Sequence, residues 1–213
     1  MTHNQPHIMF VDAHKSPGIE AKIDRLIPWM IIPENRLYCA LMEGHDAKPT
    51  LRRWIANPDS ELTLNKMRLL IANDRIGGGF TGFAGRQLQR RRETDLVDLV
   101  RTARTQRCPK LRGRLRDLMP LFAPVAPNDF YVSKFGVAPE WANRGLEKPL
   151  LDDCIRRARD VGYDRIRIDI DARHSRLYEL LAENGFQAFQ KGTANHAGIT
   201  YLNLVLPLDG HRP

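Results

Sequence analysis

The segment Arg144-Gly-Leu-Glu-Lys148 directly precedes a stretch with the apolar spacing of a long helix. Backbone N–H groups at a helix start bind anions such as a pyrophosphate, and glycine allows close approach. Glu147 places a negative charge at this position, and Pro149 has no N–H to donate, although its ring suits a first helical turn. A hydrogen bond to a charged group is worth about 1.5–3 kcal/mol. The segment therefore predicts an anion site with weakened binding.

Other reactive residue types in the chain do not form a recognisable site. Gly77–Gly79 is followed by the strand-like Phe80–Ala84 instead of a helix start, which argues against a phosphate loop. Cys39, Cys108 and Cys154 lie far apart, so we expect reduced thiols without a disulfide framework or a zinc cluster. The histidines have no metal-ligand spacing, and we predict no metal site.

The positive charge of the chain is concentrated between residues 86 and 116. Lysine and arginine number 33 against 25 acidic residues, a formal charge of +8, and this segment holds eleven basic and three acidic side chains. Such a patch attracts anionic partners, but it also fits a solvated helical face. Because residues 86–116 contain no aromatic residue and Phe122 lies beyond their end, the stacking groups of single-strand binding are missing. We do not expect nucleic acid to be the partner.

Apolar periodicity predicts the elements that position these residues. The predicted strands are Ile8–Val11, Met67–Ala72, Ile76–Ala84, Phe130–Val137, Arg165–Asp171, Gln187–Lys191 and Ile199–Leu206. The predicted helices are Ile19–Met30, Arg36–Glu43, Leu51–Ala56, Leu146–Val161 and Ser175–Glu183. Because a helix connects Phe130–Val137 to Arg165–Asp171, these strands must be parallel, and the class is α/β with a mixed sheet.

The basic segment contains two further predicted helices, separated at Cys108-Pro109. Their apolar stripes are Leu96, Leu99, Val100 and Ala103, then Leu111, Leu115, Leu118, Met119 and Phe122. In Arg165–Asp171 the isoleucines alternate strictly with charged residues, which predicts that the two sets face opposite sides of the sheet.

Length and composition predict a single soluble domain over residues 1–213. The chain is 42% hydrophobic and 27% charged. This hydrophobic fraction is enough to form a core, so we do not expect a disordered chain. Its longest apolar stretches, such as Leu26–Ile32, fall short of the roughly 20 residues of a membrane span. The N-terminus lacks the features of a secretory signal, so a cytoplasmic location is expected.

Two motifs carry a resemblance to a known family. Phe135–Leu151 reads Phe-Gly-Val-Ala-Pro-Glu-Trp-Ala-Asn-Arg-Gly-Leu-Glu-Lys-Pro-Leu-Leu, and Asp171–Phe186 reads Asp-Ala-Arg-His-Ser-Arg-Leu-Tyr-Glu-Leu-Leu-Ala-Glu-Asn-Gly-Phe. In this order they resemble the GNAT superfamily of acyl-CoA-dependent N-acyltransferases. The resemblance implies a mixed, centrally splayed sheet flanked by helices. Arg86–Phe122 would then be a helical insertion between the central strands that borders the acceptor site.

The resemblance also implies the cofactor and the residues that bind it. Acetyl-CoA or another acyl-CoA would place its phosphates on Arg144, Gly145, Leu146, Glu147 and Lys148. Its pantetheine arm would lie along Phe135, Gly136 and Val137. The family expects glycine at position 147, and glycine or alanine at position 149, where this chain has Glu147 and Pro149.

The catalytic positions depart from the family pattern. A backbone N–H of the strand Phe130–Val137 would stabilise the carbonyl oxygen, and a tyrosine of the last helix would protonate the sulfur, but that position is Leu181. Tyr178, three residues earlier, is the candidate acid, with a packing role as the alternative. Ser133 stands in the strand where the family often keeps its base, and His174 stands at the family's asparagine position. The other candidates for moving a proton are Asp129 and Tyr131.

The leading hypothesis is an N-acyltransferase that moves an acetyl or other acyl group from acyl-CoA to an amine by direct attack. The acceptor would be a small molecule or a peptide; a homodimer is left open. The alternative is a degenerate GNAT-fold protein without transferase activity that binds another ligand or a protein partner, because positions 147, 149 and 181 have all changed. A nucleic-acid-binding role for the basic helices is the third hypothesis.

Overall fold

A computed structural model describes residues 6–31, 35–42, 46–102 and 108–208. Within these residues seven strands form one sheet: Ile8–Asp12 (β1), Met67–Ala72 (β2), Arg75–Ala84 (β3), Asp129–Val137 (β4), Arg165–Asp171 (β5), Gln187–Ala194 (β6) and Ile199–Pro207 (β7). The α-helices are Ile23–Ile31 (α1), Asn35–Met42 (α2), Lys48–Ala56 (α3), Leu88–Thr102 (α4), Cys108–Leu118 (α5), Glu147–Val161 (α6) and Ser175–Glu183 (α7). Single 3-10 turns lie at Ala13–Lys15, Glu20–Lys22, Leu64–Lys66, Gly85–Gln87, Met119–Leu121 and Pro139–Trp141.

The sheet has the order β1-β2-β3-β4-β5-β7-β6 and opens at its centre. β4 and β5 are parallel, and their pairing ends at Val132 opposite Ile168. Beyond this point β4 continues to pair with β3 as far as Val137, while β5 pairs with β7. The register between β3 and β4 shifts beside Thr81, so that Ser133 is an extra residue on β4. The predicted mixed, centrally splayed α/β sheet is confirmed.

The triple glycine belongs to the hairpin of β2 and β3. The turn residues Asn73 and Asp74 have φ angles of 47° and 60°, as a two-residue hairpin turn requires. A Cβ atom at Gly78 would lie 2.4 Å from the carbonyl oxygen of Gly136. At Gly79 a Cβ atom would meet the carbonyl oxygen of Arg68 at 2.5 Å. These glycines therefore allow close approach of neighbouring strands. They lie inside β3 and do not form a phosphate loop.

The helical insertion between β3 and β4 is present as α4 and α5, but the predicted apolar stripe of α4 is only partly confirmed, since Leu99 is buried and Val100 is not. Its buried residues are Leu88, Arg91, Asp95 and Leu99. Val100 is 46% exposed, and Ala103 lies outside the described residues. Two charged residues thus occupy the inner face of α4. The second helix, α5, begins at Cys108, where the separation of the two helices was predicted.

The charged side of β5 is buried as well as its isoleucine side. Arg167, Asp169 and Asp171 are buried, and Ile166, Ile168 and Ile170 belong to the main apolar core. Alternation along the strand is confirmed, and each face is covered by other parts of the chain. Buried charged groups must be paired or hydrogen-bonded, so this face of the sheet carries a polar network. Within the described ranges, none of the helices combines the length and the apolar character that crossing a bilayer demands.

Candidate functional site

A narrow cleft lies where β4 and β5 separate. Its walls are the β4 segment 132–135, the β5 segment 168–170, and His174 and Leu177 from the start of α7. The cavity has a volume of about 10 Å³, which is close to the least that holds one water molecule. The cavity alone is too small for a larger ligand. Ligand atoms would therefore lie along the open edges of the two strands, where β4 and β5 no longer pair with each other.

The backbone amides of β4 alternate between its two neighbours. The N–H of Ala138 donates to the carbonyl oxygen of Gly77 over 2.8 Å, which directs it toward β3. By alternation the amide of Gly136 also faces β3, and those of Phe135 and Val137 face the cleft. An extended chain that carries amide groups, such as a pantetheine arm, can pair with this edge. The contacts of a pantetheine arm to Phe135 and Val137 stay predictions.

The start of α6 has free backbone donors. Leu150 N donates to Leu146 O at 3.2 Å, but the amides of Gly145, Leu146, Glu147 and Lys148 donate to no other described residue. Gly145 has a φ angle of 74°, and a Cβ atom added there would meet no other atom within 4 Å, so the loop is open on that side. This geometry fits an anionic group such as a pyrophosphate.

The side chains around this helix start are of mixed charge. The guanidinium of Arg144 lies over the ring of Trp141 at 5.2 Å, and Lys148 forms an ion pair with Asp152 one turn later. Glu147 is half-buried and has no ion-pair partner among the described residues. The backbone therefore suits an anion, whereas the Glu147 carboxylate opposes one.

Of the three side chains predicted to be catalytic, two line the cleft and one does not. Ser133 and His174 line the cleft. The hydroxyl of Ser133 lies 3.3 Å from Glu61 O and 3.4 Å from Thr81 O, two carbonyl acceptors. Tyr178 is 37% exposed and is not among the residues that line the cleft, where Leu177 stands instead. Leu181 is fully buried in the apolar core. The catalytic roles stay predictions.

The other candidates for moving a proton have structural partners. Asp129 is 1% exposed and accepts hydrogen bonds from Arg165 Nε at 2.8 Å and from Ala126 N at 2.9 Å. It is therefore committed to joining two strands and a loop. The Tyr131 hydroxyl donates to Asp169 Oδ2 at 3.0 Å, beside the cleft.

Sequence reasoning missed two charged residues of the cleft. Asp169 and Lys134 both line it, and each is at most 7% exposed. Lys134 Nζ donates to Ser133 O at 2.8 Å and lies 5.6 Å from the centre of the Tyr38 ring. The alternating pattern of β5 placed Asp169 on its charged side. Nothing local to β5 indicated that this side is buried, so the pattern gave no reason to select Asp169.

Comparison with solved structures identifies the fold. The chain is similar to an N-acetyltransferase from Staphylococcus aureus Mu50, with a TM-score of 0.68 and 11% identity over 93% of this chain and 100% of that one. It is similar to a structure described as an acetyltransferase, with a TM-score of 0.65 and 17% identity over 94% and 100% of the two chains. A GNAT-family acetyltransferase from Streptococcus pneumoniae aligns with a TM-score of 0.51 and 14% identity over 95% and 99%. Neither a protein-family model nor a curated protein sequence matches the chain.

These likenesses extend over almost the whole of each chain. Together with the splayed parallel pair and the bulge in β4, they establish that the protein has the GNAT fold. The fold expected from the two sequence motifs is thus confirmed.

Proposed function

We propose that this protein is an acyl-CoA-dependent N-acyltransferase. The observation that carries the proposal is the line of free backbone donors from the open edge of β4 to the start of α6. One end suits the amide groups of a pantetheine arm, and the other suits phosphates. The GNAT fold supports the same function, because the similar structures are described as acetyltransferases.

In this proposal the thioester lies in the cleft beside Ser133 and His174. The acceptor amine attacks the thioester carbonyl, the C–N bond forms, and the C–S bond breaks. Backbone N–H groups of β4 that face the cleft stabilise the negative charge on the carbonyl oxygen. His174 or Tyr178 protonates the departing sulfur, and Tyr178 can do so only if it turns toward the cleft from its exposed position. The acceptor is a small-molecule or peptide amine, and the transferred group is acetyl or a longer acyl chain.

A second candidate is a GNAT-fold protein that has lost transferase activity. It is favoured by Leu181, whose side chain is fully buried in the core at the family's tyrosine position, and by the uncompensated Glu147. Such a protein would bind another ligand or a protein partner.

Calorimetric titration with acetyl-CoA separates the two. The transferase proposal expects micromolar affinity. It further expects that Arg144→Glu weakens binding by at least about tenfold, since one interaction with a charged group is worth about 1.5–3 kcal/mol. Arg159→Glu, a change of equal charge at the other end of α6, is the matched control and should bind like the parent protein. If millimolar acetyl-CoA produces no heat, the second candidate stands.

A further inference from the structure

Asp169 occupies a distinctive position in the cleft. It is the first β5 residue after the point where β4 and β5 separate, since their last pair is Val132 and Ile168. It lines the cleft and is 7% exposed. Its carboxylate lies on the sheet face of Tyr131 and Asn203, opposite the face to which Ile168 and Ile170 contribute. A carboxylate therefore stands beside the place where the two strands leave room for a ligand.

Hydrogen bonds hold this carboxylate in one orientation. Asn203 Nδ2 donates to Oδ1 at 2.8 Å, and the Tyr131 hydroxyl lies 3.0 Å from Oδ2. The direction of the second bond is determined by Arg92, which can only donate and which reaches the Tyr131 oxygen at 2.7 Å. The tyrosine proton must then point to Asp169. Arg92 is itself held by Glu61, whose Oε2 lies 3.3 Å from its Nε.

The charged and titratable groups around Asp169 come from several elements. Tyr131 of β4, Arg92 of α4 and Arg167 of β5 face it, and His174 and Lys134 share the cleft. Burial raises the pKa of Asp169 above its usual value, although the bonds from Asn203 and Tyr131 and the nearby Arg92 act in the opposite direction. A carboxylate with a raised pKa is a better proton acceptor than an exposed carboxylate.

The other buried carboxylates on this face are committed elsewhere. Asp129 is paired with Arg165, and Asp171 lies 3.6 Å from both Arg36 and Arg173. Asp95 accepts the backbone N–H of Glu61 at 3.0 Å and does not line the cleft. Asp169 alone among these four lies on the cleft wall.

We propose that Asp169 accepts a proton from the acceptor amine before that amine attacks the thioester, with Tyr131 and Arg92 as positioning residues. The inference rests on the proposed acyltransferase function. The ammonium form of the amine gives one proton to the Asp169 carboxylate, and the freed nitrogen lone pair forms the C–N bond. The C–S electron pair leaves with sulfur, which takes a proton from His174 or Tyr178, and that residue then takes the second proton lost by nitrogen. Asp169 then releases its proton to water. The products are an amide, coenzyme A and one proton.

The test compares Asp169→Asn with Asp171→Asn, an equally small change on the same face of the same strand. Coenzyme A release is measured with acetyl-CoA and each of spermidine, tyramine and a short peptide with a free N-terminus. Asp169→Asn should lower kcat by about 10²–10⁴-fold, the range for loss of a general base, with unchanged acetyl-CoA affinity. Asp171→Asn should keep kcat within a few-fold of the parent.

Tyr131→Phe provides a second measurement that does not depend on Asp169→Asn folding correctly. It removes the hydrogen bond that favours the ionised carboxylate, so the acidic limb of the kcat/KM profile should move to higher pH by about 0.5–1 unit. A purely structural role would lower activity without moving that limb.

The outcomes distinguish the inference from the proposed function. Failure of the parent protein to bind acetyl-CoA, or to acetylate any of the three amines, overturns both. If the parent is active but Asp169→Asn keeps its kcat, or Tyr131→Phe leaves the acidic limb in place, the role of Asp169 is refuted and the transferase proposal stands.

Discussion

Glu147 is the residue that most directly opposes the proposed cofactor. It stands in the first turn of α6, where the amides of the loop and the helix dipole favour an anion. The backbone there is suitable, as Gly145 keeps an open left-handed conformation. The conflict is therefore one of side-chain charge and not of loop shape.

Replacing Glu147 by Gly should tighten acetyl-CoA binding. Removing a like charge close to phosphates is worth about 1 kcal/mol at a partly exposed site, or about fivefold in Kd. Glu147→Gln removes the charge while keeping the side chain, so it should give most of the gain. Calorimetry checks both variants, and an unchanged affinity in both would show that charge repulsion is not what limits binding.

Asp95 is a buried carboxyl group on the inner face of α4. Burial raises its pKa to about 7, against hydrogen bonds from Ser60 and the backbone of Glu61. Between about pH 4 and about pH 7 the folded protein keeps a proton that the unfolded chain has released, so this group makes stability fall as pH rises through that window.

Asp95→Asn cannot ionise and should remove this loss. Its Tm relative to the parent should rise between about pH 5 and about pH 8 by some 2–4 °C for each kcal/mol of the ionisation cost that is removed. The amide oxygen can still accept the N–H of Glu61. Thermal melts across this range check the prediction, which is contradicted if the difference between the two proteins is the same at every pH.

At the scale of elements, α4 is held to the segment before β2 by charged side chains. Arg91 is 9% exposed, and its NH1 donates to Ser60 O at 2.6 Å and Pro58 O at 3.2 Å. Its guanidinium lies 5.1 Å from the centre of the Phe83 ring. Its neighbour Arg90 points outward, with a 79% exposed side chain and a long ion pair to Asp59.

The two adjacent arginines should therefore differ in their contribution to stability. Arg91→Ala should lower the free energy of unfolding by about 1–3 kcal/mol, because it removes the charged donor of the short, buried hydrogen bond to Ser60 O. Arg90→Ala should change it by less than about 0.5 kcal/mol, as expected for an exposed ion pair. Urea unfolding measures both, and equal effects would mean that Arg91 does not anchor α4.

The elements show which sequence patterns can be interpreted locally. The strand Met67–Ala72 was predicted with its observed bounds, and Gly162 ends α6 in a left-handed conformation. These features depend on neighbouring residues. The inner face of α4 was predicted wrongly because burial there is decided by polar partners such as Ser60, which lies 31 residues away from Arg91.

At the scale of the whole molecule, the basic segment is not one uniform surface. Arg92 is bound to Glu61 and to Tyr131, and its guanidinium lies 4.4 Å from the centre of the Phe122 ring. Arg91 is also directed inward, so at least these two basic side chains in the described part of the segment serve the fold. The observed packing weakens the case for a nucleic-acid surface.

Binding to mixed-sequence oligonucleotides should accordingly be absent or nearly independent of salt. A protein that neutralises several phosphates loses about 10³-fold or more in affinity between about 50 and 200 mM salt. Fluorescence anisotropy with labelled single- and double-stranded oligonucleotides measures this slope. A steep loss of affinity over that range would revive the third hypothesis.

The amino-acid sequence alone determined the strands, most helices, the β2–β3 hairpin and the GNAT motifs of this protein, since each depends on residues close together in the chain. Only the tertiary structure decided that the charged side of β5 is buried, that Asp169 lies on the cleft wall, and that Leu177 stands there instead of Tyr178. The physical reason is that each of these depends on contacts between distant segments, such as Tyr131, Asp169 and Asn203, which lie on three different strands. A periodic pattern shows which residues share a face, but what covers that face is determined by the rest of the fold.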